Sequence, residues 1–317
     1  MTGFTPASCL SNPHLQTIWP FVFRKAPVLN RQRERFNTPD GDFFDVDWYG
    51  NGDKGIVILL HGLTGCSSSY YILGFQQALE QEGYKTAAVN FRACSGEPNL
   101  KAGSYHAGFT QDLQQLYTAI REELPNTPIS TIGFSLGGNI MLKWLSEQAD
   151  SLDIKISVAV SVPYKLANCA DRVDTGFSRI YRKHLIDAMK SKLANKLAFF
   201  RDNDLPDEAE KIQALGDLGF IKSFWEFDHY VVAALHGFDD VHDYYNKNSS
   251  IGFLKDIKTK TRLIHSLDDP FMTPDVLPQQ GELSSSIELL TTANGGHVGF
   301  VGQTGYWLEK QVISYLY

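Results

Sequence analysis

Ile129-Ser130-Thr131-Ile132-Gly133-Phe134-Ser135-Leu136-Gly137-Gly138-Asn139-Ile140 is the stretch on which the reading of this chain turns. A short apolar run leads straight into Gly-x-Ser-x-Gly, and Ile140, Leu142, Trp144 and Leu145 then carry the apolar spacing of a helix. A strand that becomes a helix within one residue strains the backbone at the serine and needs small residues beside it. Gly133, Gly137 and Gly138 meet that need. Such a turn lifts the Ser135 hydroxyl above the edge of a sheet. The plainer alternative is a glycine-rich turn with an incidental serine, so the rest of the chain has to supply partners for it.

Upstream, GIVILLHG (55–62) and KTAAVNFR (85–92) are continuous apolar runs, the pattern of strands buried on both faces of a parallel sheet. Helical spacing separates them over about 69–82 and follows them over 108–124, where Leu113, Leu116, Tyr117 and Ile120 share one face. Downstream, a helix is predicted over 136–149 and a fourth buried strand over 156–163. Residues 33–49 read as a hairpin around Pro39-Asp40-Gly41, and 1–30 as an irregular arm packed on the domain. After residue 164 the rhythm breaks. Residues 165–250 look helical, with a charged helix near 177–200 and an aromatic stretch at 220–245. Strands return at TRLIHSL (261–267) and SIELLT (286–291), and a last helix is predicted over 303–316. The expected fold class is α/β: a mainly parallel central sheet flanked by helices, with an inserted helical cap. The core domain is 1–164 plus 251–317, and the cap is 165–250.

A serine hydroxyl is a poor nucleophile unless a base touches it and a carboxylate orients that base. Of the histidines, His297 stands out, because Asn294-Gly295-Gly296-His297 follows the last strand, at the sheet edge where α/β ligand sites lie. The acid should follow the preceding strand, where Asp268-Asp269-Pro270 stands. Asp269, directly before the Pro270–Pro274 turn, is the first choice and Asp268 the second; the other carboxylate would bond the loop backbone. The chain order Ser, Asp, His is that of the α/β-hydrolases. An oxyanion would need backbone N–H donors, assigned to Leu136 behind the serine and to Leu63 in His61-Gly62-Leu63-Thr64-Gly65. His61, at a strand end beside Gly62, reads as a loop-shaping residue rather than a second base.

With these residues in view, the chain resembles the YheT-like branch of the α/β-hydrolase superfamily, related to eukaryotic abhydrolase-domain esterases and phospholipases. Carrying the resemblance are Asn12-Pro13-His14-Leu15-Gln16-Thr17, the His61–Gly65 loop, and Asn90-Phe91-Arg92 with Ser95-Gly96-Glu97-Pro98-Asn99. Gly133–Asn139, Asp268–Phe271 and Gly296-His297-Val298-Gly299-Phe300 complete it. The resemblance implies Ser135, Asp269 and His297 as a triad. Ala93 departs from it, since the family often has glycine after the arginine. The first of these motifs, NPHLQT, has no chemistry derivable from its residue types.

Composition narrows the field further. A net charge of -7 argues against a nucleic-acid surface. The four cysteines form no CxxC pair, which points to reduced thiols in the cytoplasm rather than a disulfide framework or zinc site. His229, His236 and His242 lie among Asp239, Asp240 and Asp243 but match no ligand spacing, so neither metal nor cofactor is expected. Arg179, Arg182, Lys183, Lys190, Lys192 and Lys196 give the cap helix a basic face, read first as solvated and second as a weak membrane-surface contact. Of Phe224, Trp225, Phe227, Tyr230, Phe238, Tyr244 and Tyr245, most are expected in the cap core and some against an acyl pocket.

The leading function is hydrolysis of a small carboxylic ester of short to medium acyl length through an acyl-enzyme. A lipase, phospholipase or thioesterase with the same triad is the runner-up. A cofactor-free perhydrolase and a non-catalytic binding protein on the same scaffold stand behind these.

Overall fold

The computed structural model describes residues 3–317, so the first two residues of the arm lie outside the described residues. Eight strands form one sheet in the order β1-β2-β4-β3-β5-β6-β7-β8. β1 (Gln32–Asn37) and β2 (Phe43–Tyr49) are the predicted hairpin. β2 then pairs antiparallel with β4 (Lys85–Asn90). From there the sheet is parallel through β3 (Ile56–Leu60), β5 (Ile129–Phe134), β6 (Ile154–Val160), β7 (Thr261–Ser266) and β8 (Ile287–Thr292).

The edge strand β1 is exposed and charged, which discourages pairing with another chain. Its register sets Arg33 opposite Asp47 and Arg35 opposite Asp45, and both guanidinium groups fork onto those carboxylates. Inside the sheet, the strand period of two sorts the apolar residues to opposite faces. Ile56, Ile58 and Leu60 pack with Leu113, Leu116 and Trp144 of α3 (Gln111–Glu123) and α4 (Leu136–Glu147). Val57 and Leu59 pack with Ile72, Phe75 and Leu79 of α2 (Tyr70–Gln81) and with Leu308 and Val312 near the C-terminus. The buried runs of β3 and β5 are continuous in sequence because both faces are covered.

The N-terminal arm is not irregular throughout, as the sequence suggested. It contains α1 (Pro13–Phe23). Asn12 caps that helix by accepting from the N–H groups of His14 and Leu15, and Pro13 takes the first helical position. Pro20 inside the helix disguised it, since proline normally argues for a break.

Between β6 and β7 the chain makes α5 (Leu166–Val173), the long α6 (Ser178–Asp202), α7 (Pro206–Gln213) and α8 (Phe224–Phe227). α8 continues through a π-helical turn, Asp228–Ala233, into α9 (Ala234–His236), and α10 (Val241–Asn248) follows. This insert has a small core of its own around Ile186, Leu193, Phe200, Ile212 and Phe227. Lys196 does not belong to a solvated face. It is buried on the inner side of α6 and donates to the carbonyls of Ala102 and Gly103 and to Ser104 Oγ. Asn139 at the start of α4 anchors the end of the insert, donating to the carbonyls of Ala107 and Asn248 and accepting from the N–H of Ser250.

The last helix is shorter than expected. α11 spans Trp307–Ile313, and the short antiparallel pair β9 (Val301–Gly302) and β10 (Gly305–Tyr306) precedes it. Gly305, at φ +102°, makes the turn that delays the helix.

Candidate active site

Ser135 sits at the end of β5 with φ +50° and ψ −121°, a strained conformation for a residue with a side chain. The strain is held from both sides. The Ser135 N–H donates to the carbonyl of Val160 at 2.8 Å, and the Ser135 carbonyl accepts from the N–H of Asn139 at 3.1 Å. At the glycines of the turn no side chain fits. A Cβ on Gly137 would lie 2.3 Å from the carbonyl oxygen of His61, and one on Gly133 would lie 2.6 Å from Gly138 Cα. The small residues of the motif are therefore a packing requirement.

From this turn the serine Oγ reaches His297 Nε2 at 3.0 Å. On the other side of the ring, His297 Nδ1 lies 2.8 Å from Asp269 Oδ2. Nδ1–H donating to the carboxylate leaves Nε2 as the acceptor for the serine hydroxyl. Asp269 is buried, and its second oxygen accepts from the N–H of Phe271 at 2.8 Å, which fixes the carboxylate plane. The neighbouring Asp268 turns away and accepts from the N–H of Gly296 at 3.0 Å and from Asn294 Nδ2 at 3.2 Å. It braces the backbone of the histidine loop.

The two assigned N–H donors, Leu63 and Leu136, line the same cavity as Ser135 and His297. Around Leu63 the other N–H groups are engaged: Gly62 donates to Tyr71 Oη, Thr64 to Tyr105 Oη and Gly65 to the carbonyl of Gly62. Among the described residues no acceptor takes the N–H of Leu63 or of Leu136. His61 is wholly buried, with Nδ1 2.7 Å from the carbonyl of Gly62 and Nε2 accepting from the N–H of Phe91. Burial lowers its pKa to about 3, so it stays neutral and shapes the loop.

The cavity measures about 930 Å³ and lies between the C-terminal edge of the sheet and the insert. Leu166, Val173, Met189, Phe224, Phe227 and Val231 make its insert-side wall largely apolar. Of the aromatic residues at 220–245, Phe224, Phe227, Tyr244 and Tyr245 face it. Trp225 instead bonds Asp171, and Tyr230 packs on Phe220 at the surface. Among the described residues no group of three or more His, Cys, Asp or Glu side chains is arranged to hold a metal.

Several residues at the site had no role assigned from the sequence. Thr17 Oγ1 accepts from the N–H of His297 at 2.9 Å, and Gln16 donates to the carbonyl of Val301 and accepts from its N–H. A Cβ on Gly299 would lie 2.1 Å from the carbonyl oxygen of Gln16, so α1 rests directly on the histidine loop. That carbonyl faces Pro20, which has no N–H to offer it. An aromatic stack continues the support: Phe271 lies on His297 at 4.4 Å, Tyr181 on Phe271 at 4.8 Å, and Tyr181 Oη meets His14 Nδ1 at 3.0 Å. NPHLQT thus caps, orients and fastens the helix behind the histidine.

On the insert side, Asp228 opens the π-helical turn in the cavity wall, and Tyr245 donates to it at 2.7 Å. Burial pushes its carboxyl up to about 7. Arg92, buried, donates to Asp112, Asp40 and Asp42 and so clamps the loop after β4. Ala93 beside it stands at φ +62°, a conformation that glycine takes without strain.

Comparison with known proteins agrees with this architecture. The alpha/beta hydrolase fold family matches residues 55–303. "Putative esterase YheT" of Escherichia coli is 35% identical over 321 residues, covering 99% of this chain and 92% of that protein. The monoacylglycerol lipase of Saccharomyces cerevisiae is 28% identical, covering 93% of this chain and 66% of the yeast protein. Among solved structures, the Pyrococcus furiosus esterase Pf2001 superposes with a TM-score of 0.59 at 19% identity, covering 91% of this chain and 92% of that one. At that identity the likeness speaks for the fold alone.

Proposed function

This chain belongs to the α/β-hydrolase family, and from that premise we propose that it is a serine carboxylic ester hydrolase working through an acyl-enzyme with Ser135, His297 and Asp269. The observation that carries the reading is the hydrogen-bonded line from Ser135 Oγ through the His297 ring to Asp269, at 3.0 and 2.8 Å, facing a largely apolar cavity. His297 Nε2 takes the serine proton as Oγ attacks the ester carbonyl, and Asp269 stabilises the imidazolium that forms. The N–H groups of Leu63 and Leu136 hold the oxyanion of the tetrahedral intermediate. The imidazolium then protonates the departing alkoxide. Water, deprotonated by the same ring, releases the acid and regenerates the serine.

Short to medium acyl chains are the substrates this reading favours, with residues 165–250 acting as a cap that bounds the acyl pocket. Support comes from the apolar insert-side wall and from the aromatic residues that line it. A cytoplasmic location belongs to the same reading, since all four cysteines are free thiols.

The test is kcat/KM for p-nitrophenyl esters of increasing acyl length. Each added CH₂ contributes about 0.8 kcal/mol while it finds apolar wall, so the ratio should climb roughly fourfold per carbon, pass a maximum and fall. A ratio that rises without limit into long chains contradicts the bounded pocket. The absence of any ester turnover contradicts the catalytic assignment itself.

A further inference from the structure

The inner face of α1 supports His297, but its outer face carries a second message. Trp19, Phe21, Val22 and Phe23 are exposed there, Phe21 by 68% and Phe23 by 60%. Phe177 and Ile180 at the start of α6 extend the patch, Ile180 being 58% exposed. His14 joins the two helices, with its ring 4.4 Å from Phe177 and its Nδ1 on Tyr181. Large aromatic side chains clustered in water are costly, and such patches mark a surface that meets something apolar.

Position says what that is. Phe21, Val22 and Ile180 also line the cavity that holds Ser135, so the patch is the rim of its opening. An apolar ester leaving a lipid phase across this rim would reach the serine without crossing water. Charge narrows the choice further. Asp174 and Asp187 are already paired with Arg182 and Lys183, whereas Lys25, Arg172 and Arg179 make no ion pair among the described residues. Counting Asp171, which accepts from Trp225 Nε1 and makes no ion pair among the described residues, these three cations still leave the surroundings of the rim net basic on a chain of net charge -7. A second copy of the chain docked two-fold on this face would bring the same basic groups together, which disfavours self-association. No helix among the described residues is long and apolar enough to cross a membrane.

We propose that the outer face of α1 and the first turn of α6 form a docking surface for an anionic lipid bilayer, from which amphiphilic carboxylic esters enter the cavity. The substrate clause rests on the ester-hydrolase reading above; the docking clause does not. Trp and Phe side chains settle into the acyl boundary while Lys25, Arg172 and Arg179 face the lipid phosphates.

The experiment is flotation of the full chain with phosphatidylcholine vesicles, with and without phosphatidylglycerol, at low and high salt. The expected result is binding at least about tenfold stronger to the anionic vesicles, weakening with salt, together with a blue shift in emission that Trp19→Phe loses. Trp19→Ser/Phe23→Ser should lower vesicle binding roughly tenfold or more while turnover of water-soluble p-nitrophenyl acetate stays within about twofold. Arg179→Gln, which leaves the apolar side chains in place, should weaken binding to the anionic vesicles about fivefold. Failure of the wild type to float at low salt overturns the proposal, as does equal flotation of wild type and double variant. So does a dimer in sedimentation equilibrium that the double variant splits. Vesicle binding without any p-nitrophenyl acetate turnover would instead refute the catalytic reading and leave the docking surface standing.

Discussion

The two walls of the cavity are built on different principles. On the sheet side, position is set by backbone. Ser135 is held at both its N–H and its carbonyl, His297 by Thr17 through its N–H, and Asp269 by the N–H of Phe271. On the insert side, position is set by side-chain packing, and polar groups such as Asp228 and Lys196 sit where burial shifts them far from their usual titration. A backbone-held wall tolerates little change, because a Cβ on Gly133, Gly137, Gly296 or Gly299 would run into another stretch of main chain. A packed wall can be resurfaced while its helices persist. On the proposed reading, chemistry falls to the sheet-side half of the cavity and selectivity to the insert-side half.

The contrast can be broken most forcefully at the sheet side. His297→Ala should lower kcat by roughly 10⁴–10⁶ with the fold intact, since the three groups act as a unit. Kinetics on p-nitrophenyl acetate beside a thermal melt measure both halves of that statement. Next in size is the aspartate pair. Asp269→Asn should cost about 10⁴ in kcat by leaving the imidazole in the wrong tautomer. Asp268→Asn should cost far less, because Asp268 meets only the loop backbone and Asn294. The reverse order would mean that the two roles are exchanged.

A smaller effect tests whether α1 belongs with the backbone-held wall. Gly299→Ala should destabilise the protein by about 1–3 kcal/mol through overpacking against Gln16, whereas Gly281→Ala, with nothing within 4 Å, serves as a neutral control in the same urea titration. Equal stability of the two would show that α1 yields easily.

The smallest effect on rate belongs to the packed wall. Asp228→Asn should change kcat on p-nitrophenyl acetate least of these variants, yet alter stability against pH. The folded protein keeps this carboxyl protonated up to about 7, above its ordinary value. The folded state thus binds the proton more tightly than the unfolded chain, and this contribution is complete in acid. It is lost as pH rises from the ordinary aspartate range through about 7. Wild type should therefore lose stability relative to Asp228→Asn between about pH 4 and 8, read by urea denaturation. Parallel curves would show that the carboxyl is solvated.

The same division explains what could be read from the sequence. Close backbone approach dictates residue type, so Gly133-Phe134-Ser135-Leu136-Gly137 and Gly295-Gly296-His297 are conspicuous, and chain order points to the Asp268-Asp269 pair. The strands β3 to β6 were legible because burial on both faces leaves uninterrupted apolar runs. The choice between Asp268 and Asp269 was not fixed by pattern, since adjacent loop carboxylates differ only in where the turn points them. α1 was hidden by Pro20 and because the partners of Gln16 and Thr17 lie some 280 residues away along the chain. The burial of Lys196 was equally invisible, because its acceptors are main-chain carbonyls of a distant loop. Asp228 gave no signal either, for a π-helical turn leaves no simple period in the sequence.

The most direct test of the central claim is labelling of the wild-type protein with a fluorophosphonate, followed by peptide mass spectrometry and ester kinetics on Ser135→Ala. One adduct on Ser135, absent from Ser135→Ala and from heat-denatured wild type, together with loss of ester turnover in that variant, is the predicted result. An adduct on another residue, or turnover that survives in purified Ser135→Ala, would contradict the assignment of Ser135 as the nucleophile.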